Sequence, residues 1–312
     1  MSNDPMRLRK HADRPMLLAS GSKAGGSAKT SVLLATASLA LLAGLRVGII
    51  DADATGTSAI SHRVQRPDVQ VIPLVEGIQV SALFNQCATF DLVLFDVGAN
   101  ELTNERTFVP LMKLVARLGG RDGNAAMLVS QIPNKSNITD DLTKAIDMFG
   151  DLLDIHIVQQ NVDGTGDFDD LPPALAALPR HEVPHLTPTV LNIPLGRGWL
   201  PADLIRDGFP GYERLRGAWA AHLLHFATSG GFARWLGFDA ALPVLEQVTR
   251  AAPSQPLPRN VPAHRLTDEV VDCWEEFVDS LASIRSASND CDLLAAAKRF
   301  QASDARYETL IA

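Results

Sequence analysis

A lysine, a threonine and three aspartates are the residues of this chain whose types and spacing fit phosphate chemistry. Lys29 and Thr30 follow a loop of Gly, Ser and Ala, and Asp51, Asp53 and Asp96 each stand at the end of an apolar run. A lysine ammonium group can reach the β- and γ-phosphates of a nucleotide, whereas hydroxyl and carboxylate oxygens are ligands that Mg²⁺ prefers. These residues therefore predict a nucleotide-phosphate site that also binds Mg²⁺.

The segment that carries the lysine has the order of a phosphate-binding βαβ unit. An apolar run at residues 16–19 leads into the small-residue loop at 20–28, an alanine-rich apolar segment at 31–43 and a second apolar run at 47–50. Consecutive backbone N–H groups of such a loop can turn inward around an anion, and the following helix adds unpaired N–H groups and the positive end of its dipole. We expect strand, loop, buried helix and strand in that order.

The loop matches the Walker A pattern of Gly, four residues, Gly, Lys and Ser or Thr only in part. The two glycine positions of the pattern hold Lys23 and Ala28, whereas Gly25 and Gly26 lie between them. A methyl group at Ala28 stands where the backbone must approach phosphate closely. An ordinary glycine-rich turn is therefore the alternative interpretation, and the three aspartates at strand ends favour the phosphate site.

These residues resemble the ParA/MinD family of P-loop ATPases, whose deviant Walker A motif reads Lys-Gly-Gly-x-Gly-Lys-Thr. Residues 51–58 are similar to that family's Asp-x-Asp-Pro-Gln-Gly-Asn segment, and residues 90–98 are similar to its Walker B strand. The resemblance covers residues 16–204 and extends to members that serve plasmid partition, plasmid stability or conjugal transfer. It implies an α/β fold with a doubly wound, mostly parallel sheet of the P-loop NTPase type, in which residues 191–194 form the last core strand.

The resemblance also implies roles for individual residues, with ATP and Mg²⁺ as cofactors. Lys29 and Asp53 are the implied catalytic residues, and Asp53 orients the attacking water. Thr30, Asp51 and Asp96 are the implied metal residues. The nucleotide-binding residues that it implies are Gly25, Gly26, Ser27, Ala28, Lys29, Thr30, Ser31 and Asn161.

Two positions of the resemblance have alternatives. Asn161 follows an apolar run and is the candidate contact to the adenine, although an Asn at a strand end also serves as a turn residue. The family's signature lysine crosses a homodimer interface to the partner's nucleotide, and that position holds Ala24 here. The resemblance implies a homodimer, whereas Ala24 argues against that sandwich dimer and the hydrolysis that depends on it.

We predict three regions in a globular protein. Residues 1–14 form a flexible basic N-terminus, and residues 15–228 form the P-loop NTPase domain that the resemblance implies. A shift in composition marks residues 229–312 as a helical extension with a Pro-rich linker at 253–262. An apolar helical stripe at 270–281 lies opposite acidic residues, so it covers the domain's own core or binds a partner protein or a second copy.

Charge and cysteine content restrict the class of protein. The chain has 312 residues with a net charge of −8, which excludes a surface that binds nucleic acid everywhere but leaves a weak DNA contact through a local basic patch. The three cysteines are scattered and predict neither a disulfide framework nor a metal site. No apolar stretch reaches the ~20 residues of a membrane span, and no secretory signal is visible, so we expect a cytoplasmic protein.

The sequence leaves three hypotheses about function. The first is a nucleotide-driven switch ATPase of the ParA/MinD type in plasmid or DNA segregation, positioning or conjugation, acting with an adaptor or a DNA-binding protein. The second is a noncatalytic scaffold that binds protein through its C-terminal helices, which Ala24 and Ala28 favour. The third is an ATP-dependent ligase or amidotransferase, which lacks support because no cysteine has the Gly-x-Cys-x-Gly setting of a glutamine-hydrolysing nucleophile. Whether ATP is hydrolysed stays open at this point.

Overall fold

The computed structural model describes most of the first 251 residues and a few near the C-terminus. The described residues are 8, 14–21, 29–52, 64, 69–74, 78–98, 104–118, 120, 124–134, 138–186, 190–191, 199–207, 213–251, 298–299, 302 and 306. One compact unit comprises Met1–Gly208 and Leu215–Ala251, and a second comprises Phe209–Arg214 and Ala252–Ala312. The described residues of the second unit are all helical, and the first unit contains the sheet and the candidate site.

Seven strands form one sheet in the described part of the first unit. They are β1 (Met16–Gly21), β2 (Val47–Asp51), β3 (Val69–Pro73), β4 (Leu92–Asp96), β5 (Ala125–Gln131), β6 (Asp154–Gln160) and β7 (Arg180–Val183). Their order is β3-β2-β4-β1-β5-β6-β7, and all six pairs are parallel. The five central strands are almost entirely buried, as expected of a parallel sheet that helices cover on both faces. The predicted α/β fold with a parallel sheet that helices cover on both faces is confirmed.

Helices connect the strands and cover the sheet. They are α1 (Lys29–Leu42), α2 (Val80–Cys87), α3 (Glu105–Arg117), α4 (Ile138–Phe149), α5 (Pro173–Ala176), α6 (Pro201–Asp207), α7 (Glu213–Thr228), α8 (Phe232–Leu236) and α9 (Ala241–Ala251), with a 3₁₀ turn at Ser229–Gly231. Helices α2 to α5 share one core with Leu17, Val93 and Met127 of the sheet. Helix α1 packs against β1, β2 and β4 and also contacts α6 and α9.

Helix α1 is the buried element that follows the phosphate loop in sequence. Every residue from Val32 to Leu42 is buried, which small side chains such as Ala35 and Ala37 permit because they let neighbouring elements approach closely. At its end the Gly44 N–H donates to the Leu41 carbonyl at 2.9 Å, and Arg206 on α6 donates a second hydrogen bond to the same oxygen. The helix predicted at residues 31–43 is therefore confirmed as a buried helix under the sheet.

The last strand among the described residues is β7. Of the strand predicted at residues 191–194, Leu191 is helical and residues 192–194 lie outside the described residues. The sequence Arg-His-Glu-Val of β7 alternates exposed and buried residues, because successive side chains of a strand point to opposite faces of the sheet. A search for continuous apolar runs therefore does not detect β7. The 3₁₀ turn covers its free edge, where the Glu182 N–H donates to the Ser229 Oγ at 2.7 Å.

The helical part of the first unit continues to Ala251. Near the N-terminus, Leu8 is buried and its N–H donates to the carbonyl of Trp235 at 2.9 Å. The linker at 253–262 and the apolar stripe at 270–281 lie outside the described residues, so the division of the chain into three regions stays a prediction. None of the helices among the described residues combines the length and hydropathy that a bilayer crossing requires.

Histidines are buried at the β6–β7 side of the sheet. The Nδ1 atom of His181 lies 3.1 Å from the Ser229 carbonyl, which can only accept, so this Nδ1 carries a proton. The Nε2 atom of His181 then accepts from His156 Nδ1 at 2.8 Å, and the His156 ring stacks on Trp235.

Burial and the neighbouring His181 lower the pKa of His156 to about 3. Burial also lowers the pKa of His181, and it lowers that of His222 to about 3. All three imidazoles are therefore neutral in the folded state.

We predict that Gly230→Ala destabilises the fold much more than Gly231→Ala. A Cβ at Gly230 would lie 2.1 Å from the Arg180 carbonyl oxygen, whereas no atom of the described residues lies within 4 Å of one at Gly231. Both glycines have positive φ (53° and 70°), so the matched pair shares a backbone cost of about 1–2 kcal/mol and differs in the clash. Urea denaturation should show at least about 2 kcal/mol more loss for Gly230→Ala, and equal losses would contradict the packing of the turn on β7.

Acid should destabilise the fold through the buried histidines. Their folded-state pKa values lie below the ordinary 6.5, so the unfolded chain takes up protons first and stability falls as pH drops below about 6.5 towards about 3. Removing one such group by His222→Gln should reduce the stability lost between pH 7.5 and pH 5 by about 1–2 kcal/mol. Urea midpoints at the two pH values measure this, and an undiminished loss in His222→Gln would contradict the burial of a neutral imidazole at this position.

Candidate functional site

The predicted phosphate and metal residues meet at one edge of the sheet. Asp51 and Asp96 are direct register partners at the carboxyl ends of the neighbouring strands β2 and β4. The chain leaves β1 after Gly21 on the other side of β4 and returns as α1, which begins at Lys29. Because carboxyl ends of parallel strands lie at the same edge, the lysine end of α1 and both carboxylates face the crevice where open α/β sheets bind ligands.

A hydrogen bond joins the residue after the lysine to the carboxylate of β4. The Thr30 hydroxyl donates to Oδ2 of Asp96 at 2.9 Å, across a sequence separation of 66 residues. Asp96 is 3% exposed, so this bond lies in a largely desolvated environment. Because the hydroxyl proton is used in the bond, the lone pairs of the Thr30 oxygen can accept a cation. A threonine oxygen and a carboxylate in this arrangement are donors of the kind that fits a hydrated Mg²⁺.

Ser20 also reaches this carboxylate, and the sequence analysis did not select it. It is the penultimate residue of β1, and its Oγ accepts from the Val97 N–H at 2.9 Å. The same Oγ lies 3.5 Å from Oδ1 of Asp96 and 3.5 Å from the Phe95 carbonyl oxygen. A single polar residue at the end of an otherwise apolar strand was the available signal in the sequence.

The remaining described residues of the predicted site lie close by. Lys29 is the first residue of α1 and is 7% exposed, and Ser31 is half-buried in the first turn. Backbone hydrogen bonds fix the ends of β2 and β4. The Leu74 N–H donates to the Asp51 carbonyl, and the Ala52 N–H donates to the Asp96 carbonyl. The carboxylate positions therefore belong to the rigid sheet.

Asn161, the residue predicted to contact the adenine, directly follows β6. Its side-chain oxygen accepts from the Gly166 N–H at 3.0 Å, and its carbonyl lies 3.1 Å from Nδ1 of His185. It thus shapes the turn after β6, and its contact with adenine stays a prediction. The sequence analysis also missed a buried polar pair beneath this turn, in which Gln160 Nε2 donates to Ser130 Oγ at 2.9 Å.

The rest of the predicted phosphate loop lies outside the described residues, as does the predicted catalytic aspartate. These residues are Gly25, Gly26, Ser27, Ala28 and Asp53, together with Ala24. Their roles in binding and hydrolysis stay predictions.

The donor set at this edge fits Mg²⁺. Thr30, Asp51 and Asp96 offer only oxygen atoms, which a hard cation prefers, and Mg²⁺ completes its octahedral shell with water and substrate phosphates. Within the described ranges no three His, Cys, Asp or Glu residues are grouped to hold a metal ion by themselves. A magnesium ion here would therefore depend on a bound phosphate, as it does in nucleotide-hydrolysing proteins.

Comparisons with solved structures give a likeness of fold. The MinD cell division protein of Aquifex aeolicus is 14% identical over 78% of this chain and 100% of its own, with a TM-score of 0.41. Chloroplast FtsY from Physcomitrella patens is 19% identical over 52% of this chain, with a TM-score of 0.41. A plasmid partition protein from Borrelia burgdorferi is 12% identical over 47% of this chain and 79% of its own, with a TM-score of 0.32.

The extent of these matches is limited. This chain spans about half the length of the FtsY structures that it matches, 54% for the Physcomitrella protein. No protein-family profile matches the chain. No curated protein matches it in sequence. At these identities and TM-scores the likeness concerns the fold alone.

The Thr30–Asp96 hydrogen bond should contribute measurably to stability without any ligand. Thr30→Val keeps the side-chain shape but removes the donor to a buried carboxylate, so we predict a loss of about 1.5–3 kcal/mol in urea denaturation. Thr36→Val on the same helix is the matched control, because the Thr36 hydroxyl is buried but donates to the neutral Val32 carbonyl of its own helix. A loss no greater than that of the control would mean that the two residues are not bonded.

Proposed function

We propose that this protein is a nucleotide-dependent P-loop switch of the ParA/MinD type that binds ATP together with Mg²⁺. The observation that carries the proposal is the hydrogen bond from Thr30 to Asp96 at 2.9 Å, beside a buried Lys29 and next to Asp51. Thr30, Asp51 and Asp96 lie together at the edge of a parallel sheet where ligands bind in such folds. An ordinary glycine-rich turn would not require this grouping.

The chain's own residues have distinct tasks in this proposal. Lys29 holds the β- and γ-phosphates and neutralises charge that develops on them, aided by backbone N–H groups at the start of α1. Thr30 and Asp96 hold the hydrated magnesium ion, and Asp51 orients its water shell. The magnesium ion supplies charge stabilisation at the phosphates when it is bound. Asp53 orients the attacking water if the nucleotide is hydrolysed.

The biological setting that we propose rests on the resemblance of residues 51–58 and 90–98. It is a cytoplasmic role in plasmid or DNA segregation, positioning or conjugation, with nucleotide-dependent homodimers and an adaptor or DNA-binding protein as partner. Asn161 is proposed to contact the adenine. The residues proposed to line the phosphates are Gly25, Gly26, Ser27, Ala28 and Ser31.

A second candidate is a noncatalytic scaffold on the same fold. Ala28 adds a methyl group beside the phosphate position and Ala24 replaces the lysine that would cross a dimer. In that case the site at Thr30 and Asp96 is a structural remnant and the C-terminal helices bind protein. This candidate differs from the first in whether nucleotide binds at all.

A nucleotide titration separates the two candidates. We expect a fluorescent ATP analogue to bind the full chain with Mg²⁺ present, and Lys29→Ala to weaken binding at least about 100-fold, because a buried ammonium contact to phosphate is lost. Lys113→Ala, which removes an exposed lysine on α3, is the charge-matched control and should bind like the unaltered chain. Absence of binding at millimolar ATP and ADP would favour the scaffold.

If nucleotide binds, sedimentation and phosphate release decide whether it drives a switch. ATP but not ADP should promote a dimer, and Asp53→Ala should retain binding while slowing phosphate release at least about tenfold. A monomer in both nucleotides would contradict the switch and leave a nucleotide-binding protein of another kind.

A further inference from the structure

Two hydroxyl groups from opposite ends of the phosphate loop converge on one carboxylate. Ser20 stands before the loop at residues 22–28 and Thr30 stands after it. The Thr30 hydroxyl donates to Oδ2 of Asp96, and the Ser20 Oγ lies 3.5 Å from Oδ1 of the same carboxylate. Asp96 therefore links the end of β1 to the start of α1.

Ser20 makes a second link, to the chain that follows the carboxylate. Its Oγ accepts the Val97 N–H at 2.9 Å, which is shorter than its 3.5 Å contacts to Asp96 and Phe95. All of these residues are buried, with Ser20 2% exposed and Val97 fully buried. The direction in which the chain leaves β4 is thus fixed by a side chain of β1, the strand that leads into the loop.

We propose that Ser20 is a positioning residue that couples the phosphate site to the segment after Asp96. It holds the carboxylate in the orientation in which Thr30 can share a magnesium ion, and it ties Val97 to the base of the loop. This inference rests on the proposed nucleotide function and assigns a residue to it. Ser20 touches neither phosphate nor metal in this assignment and acts through Asp96 and Val97.

A positioning role for Ser20 and a purely space-filling role predict different effects of Mg²⁺ on nucleotide affinity. If Ser20 only filled space, its loss would lower stability and leave the ratio of nucleotide affinities with and without Mg²⁺ unchanged. If it orients Asp96, its loss weakens the Mg²⁺-dependent part of binding, because the carboxylate is no longer preorganised for the metal. Because the Ser20–Asp96 contact is long, we assign it a net contribution of about 0.5–1.5 kcal/mol, which corresponds to a 2- to 12-fold change in that ratio.

The experiment measures binding of a fluorescent ATP analogue with ~5 mM Mg²⁺, a saturating choice for weak magnesium sites, and with EDTA. It compares the unaltered chain, Ser20→Ala and Ser38→Ala. Ser38 is the matched control because its hydroxyl is buried in α1 and bonds to the Leu34 carbonyl of its own helix. We expect Ser20→Ala to lower the affinity ratio about 3- to 10-fold and Ser38→Ala to leave it unchanged. Hydrogen exchange should also accelerate at the Val97 amide in Ser20→Ala alone.

The outcomes are distinguishable. Nucleotide binding by the unaltered chain with an unchanged ratio in Ser20→Ala overturns the positioning role and leaves the proposed function intact. No binding by the unaltered chain overturns both. If Ser20→Ala does not fold, Ser20→Cys replaces it, since a thiol is a weaker donor and acceptor, and a lowered ratio there supports the role while an unchanged one overturns it.

Discussion

The convergence of polar groups on the Asp96 carboxylate is the interaction on which the candidate site depends. A carboxylate that is 3% exposed needs hydrogen-bond donors, and this one receives the Thr30 hydroxyl at 2.9 Å. The donor lies in the first turn of α1, so satisfying the carboxylate also fixes where that helix begins. The start of α1 in turn sets where Lys29 enters the crevice. The buried Asp96 carboxylate therefore helps to position Lys29 and Thr30, which are predicted to bind phosphate and metal.

Helix α1 can hold this position because it is enclosed. Its residues from Val32 onward are buried between the sheet and the helices α6 and α9. At its far end the Leu41 carbonyl accepts both the Gly44 N–H and the Arg206 side chain. The helix is also rich in alanine, which lowers the side-chain entropy lost on packing. The site thus rests on a helix that the fold holds at both ends.

At the β7 end of the sheet, a glycine-containing turn and side-chain hydrogen bonds provide the packing. There β7 ends the sheet as a polar edge strand, and the turn at Ser229–Gly231 takes the place of a further strand by bonding to Glu182 and His181. The turn can approach so closely because Gly230 lacks a Cβ. Neutral histidines between β6, β7 and Trp235 complete that side with hydrogen bonds and stacking. The compact unit therefore closes its edge through side chains and a glycine turn.

The sequence by itself predicted the parallel α/β architecture and the position of Asp51 and Asp96 at the carboxyl edge of the sheet. Continuous apolar runs predict buried parallel strands, and a carboxylate after such a run falls at the ligand-binding edge, which is why Asp51 and Asp96 were found. It did not reveal β7, because exposed polar residues alternate with buried residues along this strand and no apolar run marks it. Only the tertiary structure decided that Ser20 lies beside Asp96, since the contact joins residues 76 apart and depends on the pairing of β1 with β4. Spacing along a chain records local periodicity, whereas such contacts depend on how strands are ordered in the sheet.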